Sequence, residues 1–172
     1  MVTPAFRIRT MQGFEAGAVA RIGFAAWMAN RTHADWFLED VEQRVEASFA
    51  DFARKPDAEV LVAVAGDTIL GWGARDSREH PGDRSRSWNY LSDLWVLPEW
   101  QGKGIGSALV AELLARMRAD GLEVATIETD HANAQALALY QRLGFTEIGR
   151  GKSFSPSLGL NMIRVLLEKL LV

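Results

Sequence analysis

Three glycines alternate with other residues in Gln101-Gly102-Lys103-Gly104-Ile105-Gly106, between the apolar run 94–97 and the clearest helical pattern of the chain. Glycine lets the backbone take positive φ and approach a ligand closely. A helix starting at such a turn aims free N–H groups and the positive end of its dipole at one spot. The segment therefore predicts a phosphate or pyrophosphate site, with Lys103 as an added cation. A glycine-rich turn that binds nothing is the plain alternative. Three phosphate patterns compete. The P-loop ends in Gly-Lys-Ser/Thr, whereas Lys103 is followed by Gly104. The dinucleotide fingerprint G-x-G-x-x-G puts its third glycine on Ser107, or on Leu109 when counted from Gly104. The pattern Gln/Arg-x-x-Gly-x-Gly/Ala is matched in full by residues 101–106.

The elements around this turn follow from periodicity. Phe6 to Arg9 alternates as a short strand. Residues 14–30 and 38–54 carry helical apolar spacing, the second through Val41, Val45, Phe49 and Phe52, with Pro56 as its stop. Glu59 to Ala65 and Thr68 to Ala74, joined by Gly66-Asp67, read as a hairpin. A polar loop spans 76–87, with Pro81-Gly82 as a turn. Trp88 to Leu97 reads as a strand and 104–120 as a helix, with Gly121 as its stop. A strand at 124–129, a helix at 134–143 and strands at 145–149 and 162–167 complete the order, the last two joined by a loop over 150–160. Hairpins followed by strand–helix–strand–helix predict a mixed α/β (α+β) sheet with one parallel crossover. With 172 residues, 48% apolar and 24% charged, residues 1–172 are expected to form a single domain.

Composition narrows the chemistry. The chain has no cysteine, so a thiolate nucleophile, a Cys-ligated zinc and an iron–sulfur cluster are excluded. His33, His80 and His131 lie 47 and 51 residues apart, which fits no local metal motif, and no metal is expected. A net charge of −3 argues against nucleic acid or an anionic membrane as the main partner. No segment has the apolar core of a signal peptide or the length of a span, and a soluble cytoplasmic protein is expected.

A second motif follows in order. In residues 133–145, Asn133 is followed by Ala136 three residues on, by Tyr140 seven on, and then by Leu143-Gly144-Phe145. Together with Leu94-x-Val96-x-Pro98 and the glycine turn, this resembles the two signatures of the GNAT N-acetyltransferase superfamily. The resemblance covers residues 88–149; residues 1–87 match only in element order. It implies a mixed, mostly antiparallel central sheet of about six or seven strands flanked by about four helices, with the fourth and fifth strands splayed apart. It also implies transfer of acetyl from acetyl-CoA to a primary amine of a small molecule or peptide. With no cysteine to carry the acyl group, direct attack in a ternary complex is the natural route. The resemblance allows a homodimer.

The same resemblance maps roles onto this chain. The backbone of Leu94, Trp95 and Val96 would pair with the pantetheine arm, and one N–H there would polarise the thioester carbonyl. Residues Gln101, Gly102, Lys103, Gly104, Ile105, Gly106 and Ser107 would form the pyrophosphate turn. Asn133 and Ala136 would lie along the pantetheine, and Tyr140 would give a proton to the leaving thiolate. Asn133 also sits where an N-cap is wanted, and Tyr140 where it would pack on Phe145.

The base is open between Asp93 and Glu128. Some family members carry a carboxylate at the position that Ser92 occupies here. Arg75, Arg78, Arg84 and Arg86 read as solvated charges among Asp76, Glu79 and Asp83, and His131 as a surface histidine. Six tryptophans stand out (27, 36, 72, 88, 95 and 100); Trp27 and Trp36 are candidates for an aromatic wall around the acceptor, with core packing as the default. A longer acyl donor, or a CoA-binding sensor without turnover, are the other readings, and the acceptor is not named by the sequence.

Overall fold

The computed structural model describes residues 5–30, 40–54, 57–80, 83 and 87–172. Among these, strands β1 (Arg7–Thr10), β2 (Glu59–Ala65), β3 (Thr68–Asp76), β4 (Tyr90–Val96), β5 (Val124–Asp130), β6 (Thr146–Ser155) and β7 (Leu160–Leu170) alternate with helices α1 (Ala16–Ala29), α2 (Val41–Arg54), α3 (Ile105–Ala119) and α4 (Ala134–Arg142). The seven strands form one sheet in the order β1-β2-β3-β4-β5-β7-β6. Every neighbouring pair is antiparallel except β4 and β5. This is the expected mixed, mostly antiparallel sheet with four helices.

Alternation along the strands builds a core on each face. Leu61, Ala63, Leu91, Ile127, Val165 and Leu167 meet Ile105, Leu109, Leu113 and Met117 of α3. Val60, Val62, Val64, Trp72 and Ala74 turn the other way, onto Val19 and Ile22 of α1 and Val45 and Phe49 of α2. Burying each large apolar side chain contributes roughly 1.5–3 kcal/mol, so the every-four-residues stripe of α3 is enough to dock that helix. No helix among the described residues is long and apolar enough to cross a membrane.

Two readings of the sequence are corrected. The loop expected over 150–160 is mostly strand: β6 and β7 pair from Thr146↔Glu168 to Ser155↔Leu160. Most of β6 is exposed, so its residues carry no apolar alternation, and its glycines and serines mimic a loop. Arg75 is also no solvated charge. Its side chain is 7% exposed and is held by Glu59 at 2.5 Å and Asp120 at 2.6 Å, while Arg116 takes the other Glu59 oxygen at 2.5 Å. Residues 31–39, 55–56, 81–82 and 84–86, and with them Trp36, His33, Pro56, Pro81-Gly82, Arg84 and Arg86, lie outside the described residues.

At Gly71, β3 leaves no room for a side chain against β4. A methyl group there would stand 2.8 Å from the Trp95 carbonyl oxygen and 3.1 Å from the Val96 Cα. Because the obstacle is backbone, it cannot rotate away. Gly71→Ala should cost about 1–3 kcal/mol in urea unfolding; an unchanged midpoint would show that the two strands can separate freely.

Candidate active site

The two parallel strands at the centre of the sheet touch only at their start. β4 pairs with β5 through Tyr90↔Thr126 and Leu91↔Ile127 and through no later residue. The cause is visible on the other edge of β4. Leu91 faces Arg75 and Asp93 faces Ala74, so Ser92 is an extra residue with no opposite number. Such a bulge bends a strand and resets which side chains point to which face. Beyond it, β4 keeps its ladder to β3 and leaves its other edge, Leu94 to Val96, open toward the gap.

The glycine turn closes one end of that gap. Gly102 and Gly104 take φ of 71° and 84°, a region in which a side chain would cost about 1–2 kcal/mol. Gly104 is the N-cap of α3 and supplies no side-chain cap, so the first-turn N–H groups keep their donor capacity. Gln101 braces the turn, its amide nitrogen donating to the Val96 carbonyl at 3.0 Å. Lys103 turns away: its ammonium donates to the Glu99 carbonyl at 2.8 Å and lies 4.3 Å from the centre of the Trp100 ring. Ile105 enters the core.

A cleft of about 790 Å³ runs from this turn through the gap to the face under α1 and α2. Gln101, Gly102, Gly104, Gly106, Ser107, Leu94, Trp95 and Val96 line it, together with Asn133, Ala136 and Tyr140 from the α4 side and with Asp93 and Glu128. Lys103 and Ile105 are the expected site residues that do not. Asn133 caps α4, its side-chain oxygen accepting from the Ala136 N–H at 3.1 Å. Tyr140 is 5% exposed and meets Phe145 edge-on, ring centres 5.9 Å apart. Burial, and then the nearby Asp93 and Tyr90, raise its phenol well above the ordinary value. The phenol therefore keeps its proton.

Asp93 is the most perturbed carboxylate of the cleft. It is half-buried in the cleft wall, and desolvation raises it from 3.8 to about 6. The rise is opposed by the indole N–H of Trp95, which donates to its Oδ1 at 3.0 Å. Ser92 also favours the anion, although its buried hydroxyl meets no partner at hydrogen-bonding geometry. Trp95 is itself held edge-on by Phe49, ring centres 5.1 Å apart. Glu128 stands differently: the guanidinium of Arg78 takes its Oε1 through both Nε and Nη2. Trp27 is 6% exposed and lines the cleft. His131 bonds the Asp130 carboxylate at 3.1 Å and is not among the lining residues.

Four side chains here take places that the sequence did not assign to them. Tyr90 lies next to the gap, and its phenol is raised to about 12, first by burial and then by Glu128 and Asp93. The Trp95 side chain aims Asp93; a strand places i and i+2 on one face, so that pair could have been read. Arg78 and Arg164 could not, because their neighbours are set by long-range pairing.

The model of the acetyltransferase (GNAT) family matches residues 26–145. The mycothiol acetyltransferase of Thermobispora bispora is 29% identical over 143 residues, covering 81% of this chain and 46% of that protein. The chain thus spans less than half the length of this relative and of its counterparts. An L-methionine sulfoximine/L-methionine sulfone acetyltransferase of Pseudomonas paraeruginosa is 29% identical, with 80% of this chain and 81% of that one covered. The yncA protein of Salmonella typhimurium, solved with its cofactor acetyl-CoA, has the same fold: TM-score 0.69 at 23% identity, over 98% of this chain and 95% of that one.

Asp93 links the site to stability. A carboxyl that holds its proton more tightly in the fold than in the unfolded chain favours the fold while protonated. That contribution is whole below about pH 3.8 and is lost as pH rises through about 6. Asp93→Asn removes the loss. Between those pH values the variant should gain on the wild type by on the order of 1–3 kcal/mol in urea unfolding. Parallel curves would show that Asp93 ionises as freely as in water.

Proposed function

The chain belongs to the GNAT acetyltransferase family, and from that premise we propose that it transfers the acetyl group of acetyl-CoA to a primary amine by direct attack in a ternary complex. The observation that carries this reading is the parting of β4 from β5 beyond Leu91. It leaves an unpaired strand edge leading to a turn of undonated N–H groups. An extended amide-bearing arm ending in a pyrophosphate matches both halves of that surface. Strands from Arg7 to Leu170 share one sheet, which supports residues 1–172 as one working unit.

Acetyl-CoA supplies the activated thioester; the rest falls to this chain. The first-turn N–H groups of α3 hold the pyrophosphate. The Leu94–Val96 edge pairs with the arm and gives one N–H to the carbonyl oxygen as charge builds there. Asn133 commits its oxygen to the cap of α4, which leaves its amide nitrogen for a carbonyl of the arm. Asp93, largely ionised above about pH 6, takes the proton shed by the amine. Glu128, engaged by Arg78, holds charge near the acceptor. Tyr140 gives its phenol proton to the leaving sulfur. The N–C bond forms as the C–S bond breaks, and the products are an N-acetylated amine and a free thiol. The relative solved with acetyl-CoA and the small-molecule acetyltransferase among the similar proteins both favour this reading.

The test is acetyl-CoA calorimetry together with thiol release across an amine panel. Tyr140→Phe should lower kcat about 100-fold with acetyl-CoA affinity kept. Turnover retained within about twofold would remove the acid role. The kcat/KM of the wild type should rise with pH through about 6, and Asp93→Asn should erase that limb. Tight acetyl-CoA binding with no transfer to any amine would make the protein a coenzyme sensor instead.

A further inference from the structure

Two arginines of the cleft, Arg142 and Arg164, form no ion pair among the described residues, and of the two only Arg164 is half-buried. Arg164 stands on β7 opposite Asp130 of β5 and Gly151 of β6. It is half-buried and lines the cleft. Its charge lowers the Tyr90 phenol, so the guanidinium lies near the cleft floor. No carboxylate among the described residues forms an ion pair with it. Among the acids on its side of the sheet, Glu128 is engaged by Arg78, and Asp130, directly opposite, by the Ala132 N–H and the His131 ring. On the β6 side its neighbour is Gly151, where even a Cβ would meet nothing within 4 Å. The guanidinium is thus partly desolvated, paired with no carboxylate of the described residues, and approachable.

A guanidinium in that position is a planar fork of donors matched to a carboxylate. Leaving it unpaired away from bulk water is costly, and a bound anion removes that cost. The pyrophosphate cradle on α3 is built from other residues of the cleft. Asp93, the candidate acceptor of an amine proton, acts on the same Tyr90 phenol as Arg164, so the two charges share one part of the cleft. The same cleft is lined by apolar and aromatic side chains, among them Trp27, Phe49, Phe52, Leu158 and Met162.

A cation and a proton acceptor that both act on one phenol, in a cleft that also offers apolar and aromatic side chains, describe the complement of a particular molecule. We propose that the acceptor is a free α-amino acid, or a close analogue, with an apolar side chain, and that Arg164 binds its carboxylate while the amine faces Asp93. This rests on the transferase reading above. The amine nitrogen gains the acetyl carbon and loses its proton to Asp93, so the product is an N-acetyl amino acid with its carboxylate intact.

The test measures thiol release from acetyl-CoA with the apolar L-amino acids, their carboxamides and the decarboxylated amines. The free acids should be preferred by about 100-fold in kcat/KM, chiefly through KM. Arg164→Gln should collapse that preference toward unity, and Arg164→Lys should restore part of it. Acetyl-CoA calorimetry on each variant reports folding and the coenzyme site independently. Equal use of acids and amides would overturn the acceptor class while leaving acetyl transfer intact. A preference that survives in Arg164→Gln would overturn the role of Arg164. Acetyl-CoA bound but transferred to no amine would overturn both the acceptor class and the transferase reading. Failure to bind acetyl-CoA would overturn the coenzyme reading beneath them.

Discussion

The separation of two strands that begin as partners governs this molecule. A parallel pair in a closed sheet would have no room at its centre for anything but side chains. Here one extra residue, Ser92, bends β4 away after two pairings, and the sheet opens along its middle. The open edge, the glycine turn at its end and the cleft between the helical layers all follow from that bend. The fold absorbs the lost ladder bonds because β4 keeps its register with β3 on the far side, and α3 packs across both strands.

The bulge also decides which side chains share the cleft. In an unbroken strand Tyr90 and Asp93 would face opposite sides. With Ser92 inserted they face the same side, and Trp95 follows Asp93. The indole of Trp95 then steadies Asp93, Phe49 steadies Trp95, and Phe49 is anchored in turn against Trp72, edge-on with ring centres 6.3 Å apart. The carboxylate is therefore held by a chain of contacts that ends in the fully buried core of β3. Arrangement and acidity share one cause: the crowding that fixes Asp93 is the crowding that makes its ionisation costly.

Much of the fold was legible because its signals are local. The apolar stripe of α3, the Gly66-Asp67 hairpin and the glycine stop at Gly121 each act within a few residues. The positive φ of Gly102 and Gly104 could be anticipated for the same reason. The C-terminal hairpin was legible only in part. β6 is stabilised by its pairing with β7 rather than by burial, and Gly151 and Ser153 read alone as loop. In the site, the backbone edge and the cap at Asn133 followed from motifs. The fates of the charged residues did not. Arg75 is ion-paired to Asp120, 45 positions away, and Arg78 to Glu128, 50 positions away. Such pairings are properties of the assembled sheet. The bulge at Ser92 left no mark in the hydrophobic pattern, because its neighbours Leu91 and Asp93 are reassigned to opposite faces without any change in composition.

An unpaired strand edge is ordinarily a hazard, since it invites another molecule to extend the sheet. Here the exposed edge of β4 lies inside the molecule, floored by β5 and walled by side chains of α1, α2 and α4. A flat sheet from a second protein is too broad to reach it; a single slender chain is not. The width of the gap thus acts as a sieve on shape. It lets the fold keep permanently open hydrogen-bonding capacity at its centre without the self-association that such capacity would cause at its rim.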